Sequence, residues 1–329
     1  MVEASGELGV DQPRAEVVKK LEVGGRELVV LKASPRTREQ PKSPDVLYVE
    51  GHNPKPKKDD DQVKTGYDIS ILADSMGCDV YSIVRSGEGT DSAKVAQQAE
   101  DREGVTITQI HQAKANEILG AIEALQEEGK LSREQLLDVM GFSDGGIVTL
   151  AMLNARPELF RRFVTVNTPG LDNSGVGRSY AQGFKEIAHL GAHRLLETLR
   201  KGKSRVSQSR LTFQRSTDDD YAESSYRSKP HIETHAVAKT RGLARLLPHI
   251  LERNQYLHGY IMSTENDKIA PAERIEKVLT DILPGEEQRV QAKATGWKTH
   301  TMGYGAQERE EKLTDIGGFM TELREQTNP

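Results

Sequence analysis

A serine flanked by glycines, where an apolar strand gives way to a helix, is the feature of this chain best suited to do chemistry. Leu136-Leu-Asp-Val-Met140 runs directly into Gly141-Phe-Ser-Asp-Gly-Gly146, and the helical pattern Ile147–Leu153 follows. Strand, sharp turn and helix with Ser143 at the apex is the context of a G-x-S-x-G nucleophile elbow. The reason is steric. The serine takes a strained backbone conformation, and Gly141 and Gly145 lack the β-carbons that would collide as strand and helix close together. The hydroxyl then projects above the sheet, over a helix amino terminus that favours negative charge developing on a reacting oxygen. The blander use of the same string is a glycine-rich turn whose serine caps the helix. A serine hydroxyl is too weak an acid to attack at neutral pH unaided, so the first reading also needs a base within reach and a group to orient that base.

The elements around the serine follow from periodicity. Glu16–Val23 and Arg26–Leu31 are β-rich runs around Gly24-Gly25, a hairpin signal because both glycines tolerate positive φ. Asp45–Glu50 reads as a strand ended by Gly51, Tyr67–Met76 as a helix stopped by Gly77, and Asp79–Val84 as a strand. Ile107–Glu128 is the longest helical pattern, with Ile110, Ala113, Ile118, Ile122 and Leu125 on one stripe. Strands at Phe163–Val166, Tyr260–Met262 and Val290–Ala294 and helices at Pro271–Leu283 and Thr314–Arg324 complete the alternation. Such alternation predicts an α/β fold with a mostly parallel, doubly wound sheet covered by helices on both faces.

Residues 171–258 interrupt that rhythm with helical segments (Phe184–Arg200, Ala236–Arg253) and no convincing strand. They hold 15 Lys/Arg against 9 Asp/Glu, a net of +6, which leaves −11 on the rest of the chain. A stretch this long is more than a connection, and it reads as a helical cap inserted between strands. The expected organisation is a flexible amino terminus over 1–13, a first core part over 14–170, the cap over 171–258 and a second core part over 259–329.

Composition removes other classes. The chain has 329 residues, 36% hydrophobic and 29% charged, with a net charge of −5. It can bury a full core, and it lacks the basic field that nucleic acid requires. The single cysteine, Cys78, excludes an intrachain disulfide framework and any multi-cysteine metal site. The loop Ser86-Gly-Glu-Gly-Thr-Asp-Ser92 lacks the Gly-Lys-Ser/Thr ending of a phosphate cradle, and the pairs His189/His193 and His231/His235 read as solvated helix faces. No metal and no cofactor is expected. With no secretory signal and no run of 18 apolar residues, the expected location is the cytoplasm, without a membrane span.

At this point the sequence resembles the α/β-hydrolase superfamily, over about residues 15 to 325, with the cap least matched. The resemblance implies the chain order serine, acid, histidine. Tyr260-Ile-Met-Ser-Thr-Glu-Asn-Asp-Lys-Ile-Ala-Pro271 looks like the family's acid loop, where an Asp follows a strand and precedes a small apolar residue and Pro. That implies Asp267 as the acid, with Glu265 the competing carboxylate. His300, in Gly296-Trp-Lys-Thr-His-Thr-Met-Gly303, stands after the last strand and before the last helix, where the family places its base. Two backbone amides should hold an oxyanion. One is that of Asp144, next after the nucleophile. The other is implied for the loop Glu50-Gly-His-Asn-Pro54. There the family commonly has His-Gly, and this chain has Glu-Gly-His, so His52 aligns with the donor and Asn53 is the alternative.

The implied activity is that of a serine hydrolase cleaving an ester, thioester, lactone or amide bond of a small molecule through an acyl-enzyme. The string Gly-Phe-Ser-Asp-Gly-Gly-Ile is similar to the elbow of the biphenyl-hydrolase-like group, so a C–C bond hydrolase of the same fold is an alternative. A binding protein without turnover is another. The Asp144 side chain would either touch substrate or face the helix amino terminus, the latter being favoured. If the cap's basic side chains line the entrance, substrates bearing a carboxylate or phosphate are expected.

Overall fold

The computed structural model describes residues 14–37, 44–51, 60–85, 99–102, 104–171, 237, 239–264, 271–297 and 306–327. Strands β1 (Glu16–Val23) and β2 (Arg26–Ala33) form the expected antiparallel hairpin, with Gly24 at φ +61° and Gly25 at φ +76°. Then follow β3 (Val46–Val49), α1 (Asp60–Met76) and β4 (Val80–Arg85). A small antiparallel ladder, β5 (Ala99–Arg102) and β6 (Val105–Thr108), leads into α2 (Gln109–Glu127). The elbow lies between β7 (Leu137–Phe142) and α3 (Asp144–Ala155), and β8 (Phe160–Val166) follows. The chain then supplies α4 (Leu247–Arg253), β9 (His258–Thr264), α5 (Ala272–Ile282), β10 (Val290–Thr295) and α6 (Ala306–Thr327).

Eight strands make one sheet in the order β1-β2-β4-β3-β7-β8-β9-β10. Every pair from β4 onward is parallel, and only the β1–β2 and β2–β4 pairs are antiparallel. This is the mostly parallel α/β architecture that the alternation predicts. Period-2 alternation sends β3 to both faces: Leu47 and Val49 join one apolar cluster, Val46 and Tyr48 the other. Helices α2, α3, α4 and α5 pack on the first face through Ile118, Ile147, Leu247 and Ile275. On the second face α1 and α6 pack through Ile69, Leu72, Leu313 and Ile316. Helix α3 is buried continuously from Asp144 to Leu153, so its place behind the elbow is fixed from all sides.

Two helical expectations change. The pattern beginning at Ile107 starts as strand β6, because Val-Thr-Ile-Thr is β-branched at every position and pairs with β5 across Gly104 (φ +78°). The pattern Ala236–Arg253 is interrupted by Gly242 at φ +68°, where Arg241 forms a β-bridge to Thr106. Beyond that break Leu243, Leu247, Ile250 and Leu251 are buried in the same apolar cluster as the sheet. Most of the stretch expected as a cap, residues 172–236, lies outside the described residues.

At the end of the strands away from the elbow, Asp138 near the start of β7 is fully buried between two guanidinium groups. Arg324 of α6 donates Nε to Asp138 Oδ2 at 2.7 Å, and Arg162 of β8 donates Nη1 to Oδ1 at 3.3 Å. Arg324 also reaches the Cys78 thiol at 3.3 Å and the Pro44 carbonyl at 2.7 Å, tying the carboxyl-terminal helix to those strand ends. Cys78 is buried there as a packing residue, its thiol pushed above the usual range by burial. Among the described residues no helix is long and apolar enough to cross a membrane, and no three His, Cys, Asp or Glu gather where they could hold a metal ion.

Candidate active site

Ser143 sits at φ +50° and ψ −116°, a backbone region that side-chain-bearing residues rarely occupy. It stands at the N-cap position of α3, yet its side chain makes no capping hydrogen bond. The turn is held through the main chain. Ser143 N donates to Val166 O at 2.8 Å, and Gly146 N donates to Ser143 O at 2.9 Å. The glycines act as the sequence suggests. A β-carbon on Gly141 would stand 2.5 Å from Gly145 O, and one on Gly145 would stand 2.5 Å from Glu50 O and closer still to Val49 O. A β-carbon on Gly51 would lie 2.9 Å from Phe142 O and 3.4 Å from the Ser143 β-carbon. The chain leaving β3 at Glu50 and Gly51 therefore runs directly against the elbow, on the side where the sequence leads one to expect an oxyanion donor.

The neighbouring strand ends carry a second strained residue. Asn167, just after β8, has φ +49°, and asparagine tolerates this region better than most residues. Its backbone N donates to Met262 O at 2.8 Å, and its Oδ1 accepts from Thr264 N at 3.2 Å. The end of β9 is thereby fixed beside the elbow. Asp267 and Glu265 follow β9, and His300 follows β10, which ends at Thr295. All three lie outside the described residues, as do His52 and Asn53, so of the expected site the structure places Ser143 and Asp144.

Asp144 occupies the first turn of α3, where a carboxylate meets the positive end of the helix dipole. The residue is 3% exposed, and its side chain is held by two residues of α2. Lys114 Nζ donates to Oδ2 at 2.9 Å, and His111 Nε2 lies 2.5 Å from Oδ1. Because a carboxylate only accepts, that ring nitrogen carries the proton. His111 Nδ1 lies 2.7 Å from Thr108 Oγ1, at the junction of β6 and α2. The favoured helix-terminus reading of Asp144 is thus half of its environment, since an ion pair and a histidine complete it. Sequence reasoning missed both partners. Their signal was present, because His111 and Lys114 share the buried stripe of α2 with Ile118, Ile122 and Leu125. A charged residue on an apolar stripe is rarely buried without a partner.

On the opposite face, Glu50 at the start of the β3 loop accepts from Lys64 Nζ at 2.8 Å and from Thr65 Oγ1 at 2.5 Å. Burial pushes this carboxyl up, but Lys64, Arg309 and the two hydrogen bonds outweigh it and hold Glu50 below the usual carboxylate range.

Comparison with known proteins bears on the fold that holds this site. The prolyl oligopeptidase family model matches residues 103–181, a segment that contains β6, α2, the elbow and β8. No curated protein matches the chain. Among solved structures, a proline iminopeptidase of Mycobacterium smegmatis is 17% identical with a TM-score of 0.55, covering 92% of this chain and 97% of that one. A thermostable carboxyl esterase of Bacillus coagulans is 12% identical with a TM-score of 0.54, covering 94% and 98%. The meta-cleavage product hydrolase of Pseudomonas fluorescens IP01 is 14% identical with a TM-score of 0.52, covering 93% and 98%. The mostly parallel eight-stranded sheet with helices on both faces matches these neighbours as a fold, and the chain has the α/β-hydrolase fold.

Proposed function

We propose that the protein is a serine hydrolase that cleaves an ester-type bond of a small molecule. The observation that carries this reading is Ser143 itself, strained at φ +50°, making no capping bond, and facing the loop that leaves β3. Strain of this kind costs about 1–3 kcal/mol and persists where the surroundings enforce it, typically at sites of chemistry. In this mechanism His300 takes the proton from Ser143 Oγ as the oxygen attacks the acyl carbon. The oxyanion is held by the amide of Asp144 and one from His52 or Asn53. His300 then protonates the leaving group, and water repeats the sequence to release the acid. Asp267 orients the imidazole and stabilises its charged form. Esterase, lactonase and peptidase activities all run through this cycle, and the esterase and iminopeptidase among the structural neighbours fit it.

A fluorophosphonate probe tests the reading. Wild-type protein should be labelled once, and Ser143→Ala should not be. Equal labelling of both, or none of either, supports a binding protein of the same fold instead. The acid is assigned by comparing Asp267→Asn with Glu265→Gln on a p-nitrophenyl ester. The former should lower kcat by at least about 10³-fold, and if the latter is the more damaging, the acid is Glu265.

The charge of residues 171–258 carries a further expectation about substrate. Their net +6 against −11 on the rest favours anionic acyl groups if the basic side chains line the entrance. Exposed charges are screened over about 10 Å at 0.1 M salt. Steering therefore predicts that kcat/KM for an anionic ester falls with salt while that for a neutral ester of similar size holds. An equal response of both esters ends the idea of an anionic substrate.

A further inference from the structure

The face of the sheet opposite Asp144 holds a set of charges, half-buried at Glu50 and Lys64 and buried at Asp68 and Arg309, that the hydrolytic cycle does not use. Tyr48 and Glu50 are two residues apart at the end of β3, so both point to the side of α1 and α6. Glu50 accepts from Lys64 and Thr65 of α1. One turn further along α1, Asp68 accepts from Arg309 of α6 through both guanidinium nitrogens that face it, Nε at 2.5 Å and Nη2. Thr65 and Asp68 have no exposed surface, and Arg309 is 8% exposed. The Tyr48 hydroxyl is buried beside these charges with no hydrogen-bond partner among the described residues.

Such a set is not the economical way to build a core. Well-packed apolar residues of similar volume are often as stabilising as a buried ion pair or more so, and an unbonded buried hydroxyl is a further cost. Two acids and two bases balance, so the cluster is tolerated, and what it supplies is geometry. Glu50 is the last residue before Gly51, its carbonyl is packed against Gly145, and Gly51 lies against Phe142 and Ser143. At the other end, Arg309 belongs to the first turn of the helix that follows the segment carrying His300.

Resting on the hydrolase reading, we propose that Glu50 is a positioning residue. The bracket it forms with Lys64 and Thr65, braced through Asp68 to Arg309, fixes Glu50 and Gly51 against Phe142 and Ser143, and so the point from which the chain runs on to the expected oxyanion donor. The bracket touches neither substrate nor the reacting atoms. Loosening it shifts Gly51 relative to Ser143, which weakens transition-state stabilisation and leaves ground-state binding in place.

The experiment measures kcat, KM and the affinity of a trifluoromethyl ketone, which forms an oxyanion on the serine, for wild type, Glu50→Gln, Thr65→Val and Asp138→Asn. Glu50→Gln keeps size and most hydrogen-bonding capacity while removing the charge that Lys64 and Arg309 face. Its kcat should fall about 10- to 100-fold, with KM within about threefold and ketone affinity falling in step with kcat/KM. Thr65→Val should show the same pattern at smaller size and covers the case in which Glu50→Gln does not fold. Asp138→Asn disturbs the buried ion cluster with Arg162 and Arg324 at the strand ends away from the elbow, so it should lower the melting temperature and leave kcat and ketone affinity at wild-type values. The proposal is overturned if Glu50→Gln and Thr65→Val turn over at the wild-type rate, or if Asp138→Asn loses as much kcat for the same loss in melting temperature. A wild-type chain that takes no fluorophosphonate label overturns the hydrolase reading and this proposal with it. A labelled wild type with unchanged variants overturns this proposal alone.

Discussion

Ser143→Gly is expected to give a protein more stable than wild type and without measurable turnover. At φ +50° and ψ −116° Ser143 occupies the backbone position that the first central residue of a type II′ turn takes, where glycine is the usual residue. Removing its β-carbon releases strain of about 1–3 kcal/mol. Against this stands the larger entropy that glycine loses on folding, about 0.5–1 kcal/mol. The difference leaves a gain of very roughly 1 kcal/mol, read as a higher urea midpoint at unchanged m-value. Ser143→Ala keeps the β-carbon and the strain, so it should be as inactive and show no such gain. For both, kcat on a p-nitrophenyl ester should fall by at least about 10⁴-fold, and His300→Ala should be comparably damaging, since members of a triad act as a unit. A serine that only caps α3 predicts otherwise: glycine would be nearly neutral, and alanine would destabilise by about 1 kcal/mol. If Ser143→Gly is the less stable protein, or if either variant retains wild-type turnover, the elbow reading fails.

The elbow was legible in the sequence because its constraint is local. Two glycines four residues apart, each with a backbone carbonyl where a side chain would be, leave few other arrangements for strand and helix. The Gly24-Gly25 hairpin is legible for the same reason, positive φ at two adjacent positions. Parallel strands could be read from their β-branched runs but not given their order, since β3 lies between β4 and β7 and no residue in β3 records its neighbours. The two polar clusters were hidden by pairing at a distance. His111 and Lys114 are about 30 residues from Asp144, and Arg309 is more than 200 from Asp68. Each looked like an isolated charge in a helix. What the sequence did offer was a charge on a buried stripe, at His111 and Lys114, and an acid where the resembled family commonly has histidine, at Glu50. Asn167 gave no comparable signal, because a lone asparagine after a strand suits many turns and only the backbone shows which conformation it takes. The break at Gly242 was concealed by the helical propensity of Leu243-Ala-Arg-Leu-Leu247, which does become helical one residue later.

Gly145→Ala should be among the most damaging single methyl additions in the chain, although alanine is ordinarily the better helix former. Gly145 lies in the first turn of α3 with an ordinary backbone conformation, so propensity alone predicts a gain of about 1 kcal/mol. Space decides the outcome. The new β-carbon would stand 2.5 Å from Glu50 O and closer still to Val49 O, and neither is the end of a flexible side chain that could rotate away. Relief requires moving β3 away from α3, yet β3 is hydrogen-bonded to β4 and β7 on its two sides and α3 is buried on every side. Overpacking of this kind costs about 3 kcal/mol or more when backbone must shift. The carbonyls in the way belong to the stretch that leads to the expected oxyanion donor, so any protein that folds should also lose kcat. Gly129→Ala is the matching control. Gly129 is at φ +70° with nothing within 4 Å of a β-carbon, so its penalty is conformational, about 1–2 kcal/mol, and it should leave kcat untouched. Urea denaturation of the two variants separates crowding from backbone preference. Should they lose the same stability, the contact between the elbow and the end of β3 is looser than described, and the donor loop would have to be sought elsewhere along that edge of the sheet.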